Sequence, residues 1–207
     1  MRKFFLILLC CLGCIALFFS VIGNDKPNNL ESKANELKKY CSKNGYSTDV
    51  AVLVDYGVHS GKVRLFVWDF NKQKVVLSSI CAQGCGKGKM LGKKVFSNKV
   101  GSLCSSLGHY KIGGKRTMLR GTRSAYTLYG LDETNSNALR RGILLHPVHL
   151  PSFSIFPFEI PAKKYKIFRW TIPPFSEGCI TIPFTKFYRL QSILDKVDGN
   201  VIMWVYK

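Results

Sequence analysis

Acidic residues are scarce in this sequence. The chain has 12 aspartates and glutamates against 31 lysines and arginines, a formal net charge of +19 at pH 7. Without Arg2 and Lys3 of the first segment the charge is +17, which attracts polyanions such as nucleic acid, anionic lipid or acidic cell-wall polymer. The basic residues are scattered and form no arginine-rich or aromatic-interleaved motif, which argues against a specific nucleic-acid partner.

Motifs for binding metals and nucleotides are also lacking. The glycine-rich, basic stretch over residues 84–94 does not have the spacing of a phosphate-binding Walker loop, and no helical pattern follows it. We interpret it as a loop at the rim of a site. Cys81, Cys85 and Cys104 have neither a second C-x-x-C nor a histidine pair to complete a zinc site.

Residues 1–23 are predicted to be a signal peptide or an N-terminal membrane anchor. Arg2 and Lys3 precede an apolar run over residues 4–22, and a polar stretch follows, which is the order of a secretory signal. The run is long enough to span a bilayer, whereas a cleaved signal usually has a shorter apolar region, so both forms stay open. We predict export to the periplasm or cell envelope, with an inner-membrane tether where the segment is uncleaved.

Five cysteines follow this segment: Cys41, Cys81, Cys85, Cys104 and Cys179. In an oxidising compartment, four of them can pair in any of three ways and leave one over. If Cys179 is the one left over, that agrees with a catalytic thiol. The alternative is that several of the five are reduced and buried.

The hydrophobic periodicity predicts one helix ahead of a mainly β domain. Residues 24–48 are predicted to form a helical spacer, with its helix over residues 29–43, because Leu30, Ala34, Leu37 and Cys41 recur at helical spacing. The helix is expected either to pack on the outside of the domain or to space the domain from the membrane. Residues 49–207 are predicted to form the main domain. Its expected elements are strands near residues 51–54, 64–70, 75–77, 125–130, 143–145 and 201–206, helical turns over 135–141 and a helix over 183–197.

The candidate catalytic residues lie in Ser176-Glu177-Gly178-Cys179 and at the end of Ile143-Leu144-Leu145-His146. A cysteine behind a Ser-x-Gly, with an apolar strand ending in histidine earlier in the chain, indicates a thiol nucleophile and its base. Gly178 would let the backbone turn so that nearby amides point at a developing oxyanion. The alternative is a buried structural cysteine.

These two motifs belong to a longer series of short blocks. In chain order the blocks are Arg64-Leu-Phe-Val-Trp-Asp, Phe96-Ser-Asn, Gly101-Ser, Ser105-Ser-Leu-Gly-His-Tyr, Leu128-Tyr-Gly-Leu, Asn135-Ser-Asn-Ala, Arg141-Gly-Ile-Leu-Leu-His146 and Ser176-Glu-Gly-Cys179. Their order resembles the murein L,D-transpeptidase catalytic-domain family of the YkuD-type superfamily. The resemblance extends from about residue 49 to the C-terminus.

The resemblance implies a mainly β fold, with a mixed sheet or sandwich, a few short helices and the cysteine beside a groove. It implies that Cys179 attacks the carbonyl before the terminal D-alanine of a peptidoglycan tetrapeptide stem, forming a thioester that an amine of a second stem resolves. His146 would be the general base, oriented by the carbonyl of Pro147. The amides of Gly178 and Cys179 would bind the oxyanion, and Ser176 would support the loop or substrate. No metal or organic cofactor is implied.

The chain departs from the family pattern near the site. Pro147 stands where the family usually has glycine, and Glu177 replaces a histidine or tryptophan, placing a negative charge beside a thiol that must ionise. The usual Ala-His-Gly block appears as Ala82-Gln83-Gly84. His149 is a rival for the base, and the Phe/Pro-rich residues 151–174 are either a lid over the groove or packing elements.

Three further functional hypotheses stay open. Resolution of the thioester by water would make the protein an L,D-carboxypeptidase. The departures and the +17 charge suggest, from another class, a catalytically silent, basic wall-binding protein on the same fold. A secreted nucleic-acid binder is disfavoured by the scattered basic residues.

Overall fold

The computed structural model describes residues 29–58, 62–86, 95–116, 124–148 and 175–207. Residues Glu31–Lys207 form one compact unit. Four features singled out in the sequence lie wholly or largely outside the described residues: the signal or anchor segment 1–23, residues 87–94 of the glycine-rich stretch, His149, and the stretch 151–174. No helix within the described ranges is long and apolar enough to cross a bilayer.

The described residues form two helices and ten strands. The helices are α1 (Leu30–Lys43) and α2 (Phe184–Leu194). The strands are β1 (Val50–Asp55), β2 (Leu65–Asp69), β3 (Lys74–Ser79), β4 (Gln83–Gly84), β5 (Gly108–Arg116), β6 (Ala125–Gly130), β7 (Leu144–Val148), β8 (Phe175–Ser176), β9 (Ile180–Pro183) and β10 (Ile202–Tyr206). A single 3₁₀ turn, Glu133–Asn135, follows β6.

Eight of the strands form one mixed sheet in the order β3-β2-β1-β10-β5-β6-β7-β9. The pairs β1–β10 and β7–β9 are parallel, and the other neighbours are antiparallel. β4 and β8 form a separate parallel pair. The predicted fold class, mainly β with a mixed sheet and a few short helices, is confirmed.

The central strands are buried on both faces, which explains their continuous apolar runs. Every residue of β1 and β10 is buried. On one face, Phe187 and Leu190 of α2 are fully buried in the main hydrophobic cluster. On the other face, Tyr40 of α1 stacks on His109 with ring centroids 4.0 Å apart, and His109 stacks on Trp204 at 5.0 Å. The helix predicted as a spacer therefore packs on the sheet.

His109 has a structural environment in this fold. Its Nδ1 lies 3.0 Å from Asp132 Oδ2, and its backbone N–H donates to the same oxygen at 2.8 Å. Together with the two ring contacts, these bonds hold the side chain between α1 and the sheet.

The helix boundaries differ slightly from those predicted. α1 begins at Leu30, one residue after the predicted start, and α2 ends at Leu194 rather than near residue 197. After α2 the chain continues through tighter turns, since the N–H of Val197 donates to the carbonyl of Leu194. The predicted turns over 135–141 begin earlier, at Glu133. The buried Asn135 side chain fixes this start, because it accepts from the Asp132 N–H and donates to the carbonyl oxygen of His109 in β5.

Gly130, the last residue of β6, packs against the 3₁₀ turn, and a substitution at Gly130 tests this contact. An added Cβ there would lie 1.9 Å from the backbone oxygen of Asn135, whereas a Cβ on Gly114 of β5 would meet nothing within 4 Å. We expect Gly130→Ala to lower the free energy of unfolding by about 2–4 kcal/mol, since backbone must move. The control Gly114→Ala should change it by less than about 1 kcal/mol in urea unfolding. Equal effects would contradict this account.

Candidate active site

His146 and Cys179 come from neighbouring parallel strands at one edge of the sheet. β7 carries His146, and Cys179 directly precedes β9; the register pairs Leu145 with Ile180 and His146 with Thr181. Leu145 and Ile180 are buried in the main hydrophobic cluster. Because side chains alternate between the faces of a strand, His146 and Cys179 are both placed on the face opposite that cluster, as diagonal neighbours.

The backbone fixes the His146 ring in one tautomer. His146 Nδ1 lies 3.1 Å from the carbonyl oxygen of Pro147. A carbonyl can only accept, so Nδ1 carries the proton and Nε2 presents a lone pair. Burial lowers the pKa of His146, and the bond to Pro147 opposes that shift in part. The ring is therefore neutral near pH 7 and able to accept a proton at Nε2.

The Cys179 thiol is protonated at rest. Its Sγ lies 3.8 Å from the carbonyl oxygen of Gly142. Burial raises the pKa of Cys179; a backbone hydrogen bond with Leu144 and the charge of Arg141 oppose that rise, and Glu177 adds to it. A neutral thiol and a neutral imidazole thus share one face of the sheet edge, rather than a preformed thiolate–imidazolium pair.

The loop before Cys179 is held by Ser176. The Ser176 hydroxyl donates to the carbonyl oxygen of Cys179 and accepts from the Gly178 N–H at 3.3 Å. Gly178 has φ +114°, a conformation that side chains disfavour, and an added Cβ would lie 3.0 Å from Ile143 Cδ1. The predicted sharp turn is therefore present. The Gly178 N–H would have to leave Ser176 before it could bind an oxyanion.

Gly84 and Ser105 support this loop from behind, and nothing in the sequence indicated that either residue contacts Gly178. A Cβ on Gly84 would lie 2.4 Å from the backbone nitrogen of Gly178 and 2.4 Å from the oxygen of Leu103. The Ser105 hydroxyl accepts from the Gly84 N–H at 2.9 Å and donates to the Gly178 oxygen at 3.1 Å. Both residues lie in quoted blocks, but a separation of 73 residues between Ser105 and Gly178 hides the contact from any local pattern.

Arg141 fixes the segment that carries Ser105. Its guanidinium donates to four acceptors in residues 97–106: Ser97 O at 2.9 Å, Ser106 Oγ at 3.0 Å, Ser102 Oγ at 3.4 Å and Cys104 O. The guanidinium is thus held by hydrogen bonds within the protein. Its positive charge opposes the rise that burial causes in the pKa of Cys179. The sequence signalled Arg141 only as the first residue of the histidine block.

Arg64 anchors the strand segment that carries Gly84. Its side chain is fully buried and donates to the Cys81 oxygen at 2.9 and 2.7 Å and to Gln83 Oε1 at 2.8 Å. Next to this segment, the Ala82 N–H donates to the Thr181 oxygen at 2.9 Å and so pairs with the outer edge of β9. Arg64 therefore fixes the backbone that lies beside Cys179.

The side chains of Cys81, Cys85 and Cys104 do not form a three-ligand metal site. Cys85 and Cys104 form an antiparallel bridge, whereas the charge and hydrogen bonding of Arg64 act on the buried Cys81 thiol. The described ranges contain no group of three or more histidine, cysteine, aspartate or glutamate side chains that could hold a metal ion.

Comparison with known proteins gives a family and distant structural likenesses. The family model for the L,D-transpeptidase catalytic domain matches residues 24–206. No curated protein matches the sequence.

Among solved structures, an L,D-transpeptidase from Mycobacterium smegmatis is 13% identical with a TM-score of 0.38, covering 76% of this chain and 58% of that one. The helical cell shape determining protein Pgp2 from Campylobacter jejuni is 14% identical with a TM-score of 0.43, covering 75% and 46%. An L,D-transpeptidase (Yku) from Stackebrandtia nassauensis is 13% identical with a TM-score of 0.41, covering 88% and 68%. This chain thus spans roughly half the length of the first two of these proteins.

The raised pKa of Cys179 predicts the pH dependence of its reactivity. Alkylation by iodoacetamide proceeds through the thiolate, so we expect its rate to rise continuously from pH 6 to pH 9 without a plateau. Peptide mass spectrometry would follow Cys179 separately from the other cysteines, and the urea-unfolded chain supplies the reference titration at an ordinary thiol pKa. A plateau below pH 8 would reveal a stable thiolate–imidazolium pair and contradict the neutral resting state.

Proposed function

This chain belongs to the L,D-transpeptidase catalytic-domain family, and we propose that it is a cysteine-dependent L,D-transpeptidase of peptidoglycan tetrapeptide stems. The observation that carries the proposal is the placement of His146 and Cys179 on one face of two adjacent strands, with Nδ1 of the imidazole held by the Pro147 carbonyl. This arrangement leaves Nε2 as the base beside a nucleophilic thiol.

The first half of the reaction is an acyl transfer to Cys179. Sγ attacks the carbonyl carbon before the terminal D-alanine while Nε2 of His146 takes the thiol proton. Because both groups are neutral at rest, proton transfer accompanies the formation of the C–S bond. The developing oxyanion is stabilised by the amides of Gly178 and Cys179, and the Gly178 N–H exchanges its bond to Ser176 for the substrate oxygen.

The second half of the reaction releases the enzyme. Collapse of the tetrahedral intermediate breaks the C–N bond, and the His146 imidazolium gives its proton to the departing amine of D-alanine. The amine of a second stem then attacks the thioester carbon while His146 takes a proton from that amine. The C–S bond breaks, and the imidazolium returns its proton to Sγ of Cys179, which restores the thiol. One amide is made for each amide broken, so the exchange needs no external energy source.

The rest of the sequence supports a site of action in the cell envelope. Residues 1–23 have the order of an export signal or anchor, and the remaining chain has a formal charge of +17. Such a charge concentrates the protein on anionic wall polymers. We infer an exported protein whose first segment is cleaved or is kept as a tether to the inner membrane.

Water in place of the second amine would make the same site an L,D-carboxypeptidase. The catalytically silent, basic wall-binding protein is the second candidate. It is favoured by burial and by Glu177, which both raise the pKa of Cys179, and by the engagement of the Gly178 N–H with Ser176. That candidate requires Cys179→Ala to leave the biological role intact.

Release of D-alanine from a tetrapeptide stem tests the proposed function. We expect the full-length protein to release D-alanine and His146→Gln to slow the release at least about 100-fold, the usual scale for a general base. The matched control is His109→Gln, which removes a histidine that stacks on Tyr40 outside the site. Product analysis with and without an acceptor amine separates cross-linking from hydrolysis. No release by the folded protein would favour the silent alternative.

A further inference from the structure

Cys85 and Cys104 face each other across a short antiparallel pairing behind the candidate active site. Two backbone N–H···O bonds flank the pair at 3.2 and 2.9 Å: Gly86 to Leu103 and Ser105 to Gly84. Bonds in these positions define a non-hydrogen-bonded pair, the class in which opposing side chains come closest.

The geometry of such a pair matches that of a disulfide. Cα atoms in non-hydrogen-bonded pairs are about 4.5 Å apart, within the range of roughly 4.4–6.8 Å that disulfides span. The local contacts agree, since a Cβ on Gly86 would lie 3.1 Å from Cys104 Sγ, and Gln83 Nε2 lies 3.5 Å from Cys85 Sγ. Each sulfur thus lies beside a residue of the segment 83–86, and both thiols are reduced in the structure.

The other described cysteines occupy different regions. Cys41 lies on α1, whose Tyr40 stacks against one face of the sheet. Cys81 belongs to the hydrophobic cluster on the other face, with Phe187 of α2. Cys179 belongs to the candidate site at the sheet edge. Within the described residues, the strand pairing places Cys85 directly opposite Cys104 and opposite no other cysteine.

We propose that Cys85 and Cys104 form a disulfide in the exported protein. The oxidant is a disulfide donor, either a small one such as oxidised glutathione or a disulfide-transferring oxidoreductase. The half-buried Cys85 attacks the donor as a thiolate and releases one donor thiol. The buried Cys104 then attacks the Cys85 sulfur and releases the second. Two protein thiols lose two electrons and two protons, and the donor disulfide gains them.

The disulfide would clamp the two segments that support the Cys179 loop. Gly84, whose backbone lies against Gly178, immediately precedes Cys85, and Ser105, which bonds to the Gly178 oxygen, immediately follows Cys104. A covalent link between the two cysteines therefore holds both supports together. It also leaves Cys179 out of the pairing, so its thiol stays available for the proposed acyl transfer.

The linkage can be mapped in the purified full-length chain. The protein is equilibrated with oxidised glutathione, remaining thiols are alkylated after unfolding, and a protease digest is examined by mass spectrometry. We expect a peptide that joins Cys85 to Cys104, with Cys179 alkylated. Alkylation of both Cys85 and Cys104, or a link from either one to Cys179, would overturn the proposal.

Thermal unfolding gives a second readout. The disulfide closes a loop of about 20 residues, so oxidation should raise the Tm by about 5–10 °C over the reduced protein. Cys85→Ser should abolish this difference, and the control Cys41→Ala should keep it. A redox-dependent shift of the same size in Cys85→Ser would overturn the proposal.

The disulfide proposal rests on the proposed export, which supplies the oxidant in the cell. A protein that forms the disulfide but releases no D-alanine would contradict only the proposed activity.

Discussion

The close backbone contact between Gly84 and Gly178 is the constraint on which the candidate site depends. Gly84 leaves no room for a Cβ, because an added atom there would lie 2.4 Å from the Gly178 nitrogen. Gly178 has φ +114°, a backbone conformation that side chains disfavour. The other supports converge on this contact. Arg64 anchors the backbone before Gly84, Ser105 bonds to both glycines, and Arg141 fixes the segment that carries Ser105. The position of Cys179 therefore depends on the contacts that these residues make with the backbone of the loop before it.

The electrostatics of the candidate site favour the neutral forms of both His146 and Cys179. Burial raises the pKa of Cys179 and lowers that of His146. A protonated thiol is a weak nucleophile and a poor target for oxidants, which suits the proposed export to an oxidising envelope. In the proposed mechanism, His146 must therefore take the thiol proton during attack. Oxidation at Cys85 and Cys104 and a reduced Cys179 are therefore compatible in one protein.

The local elements were predictable from the sequence because their signals are local. The apolar runs of β1 and β10 and the helical spacing of α1 predicted these elements within one residue or so. The Ser-x-Gly-Cys motif indicated a backbone turn at Gly178, where the structure has φ +114°. The sheet order was not predictable, since β10 inserts between β1 and β5 through pairings distant in sequence. The supports of the site were missed for the same reason. Nothing near Ser105 or Arg64 in the sequence shows which backbone atoms their side chains contact.

The most direct test of the account is the intact mass of the full-length protein after incubation with a tetrapeptide stem or a carbapenem. The account predicts a covalent acyl adduct on Cys179 that is absent in Cys179→Ala and strongly slowed in His146→Gln. A folded protein with a reduced Cys179 that forms no adduct with either reagent would contradict the proposed role of the thiol.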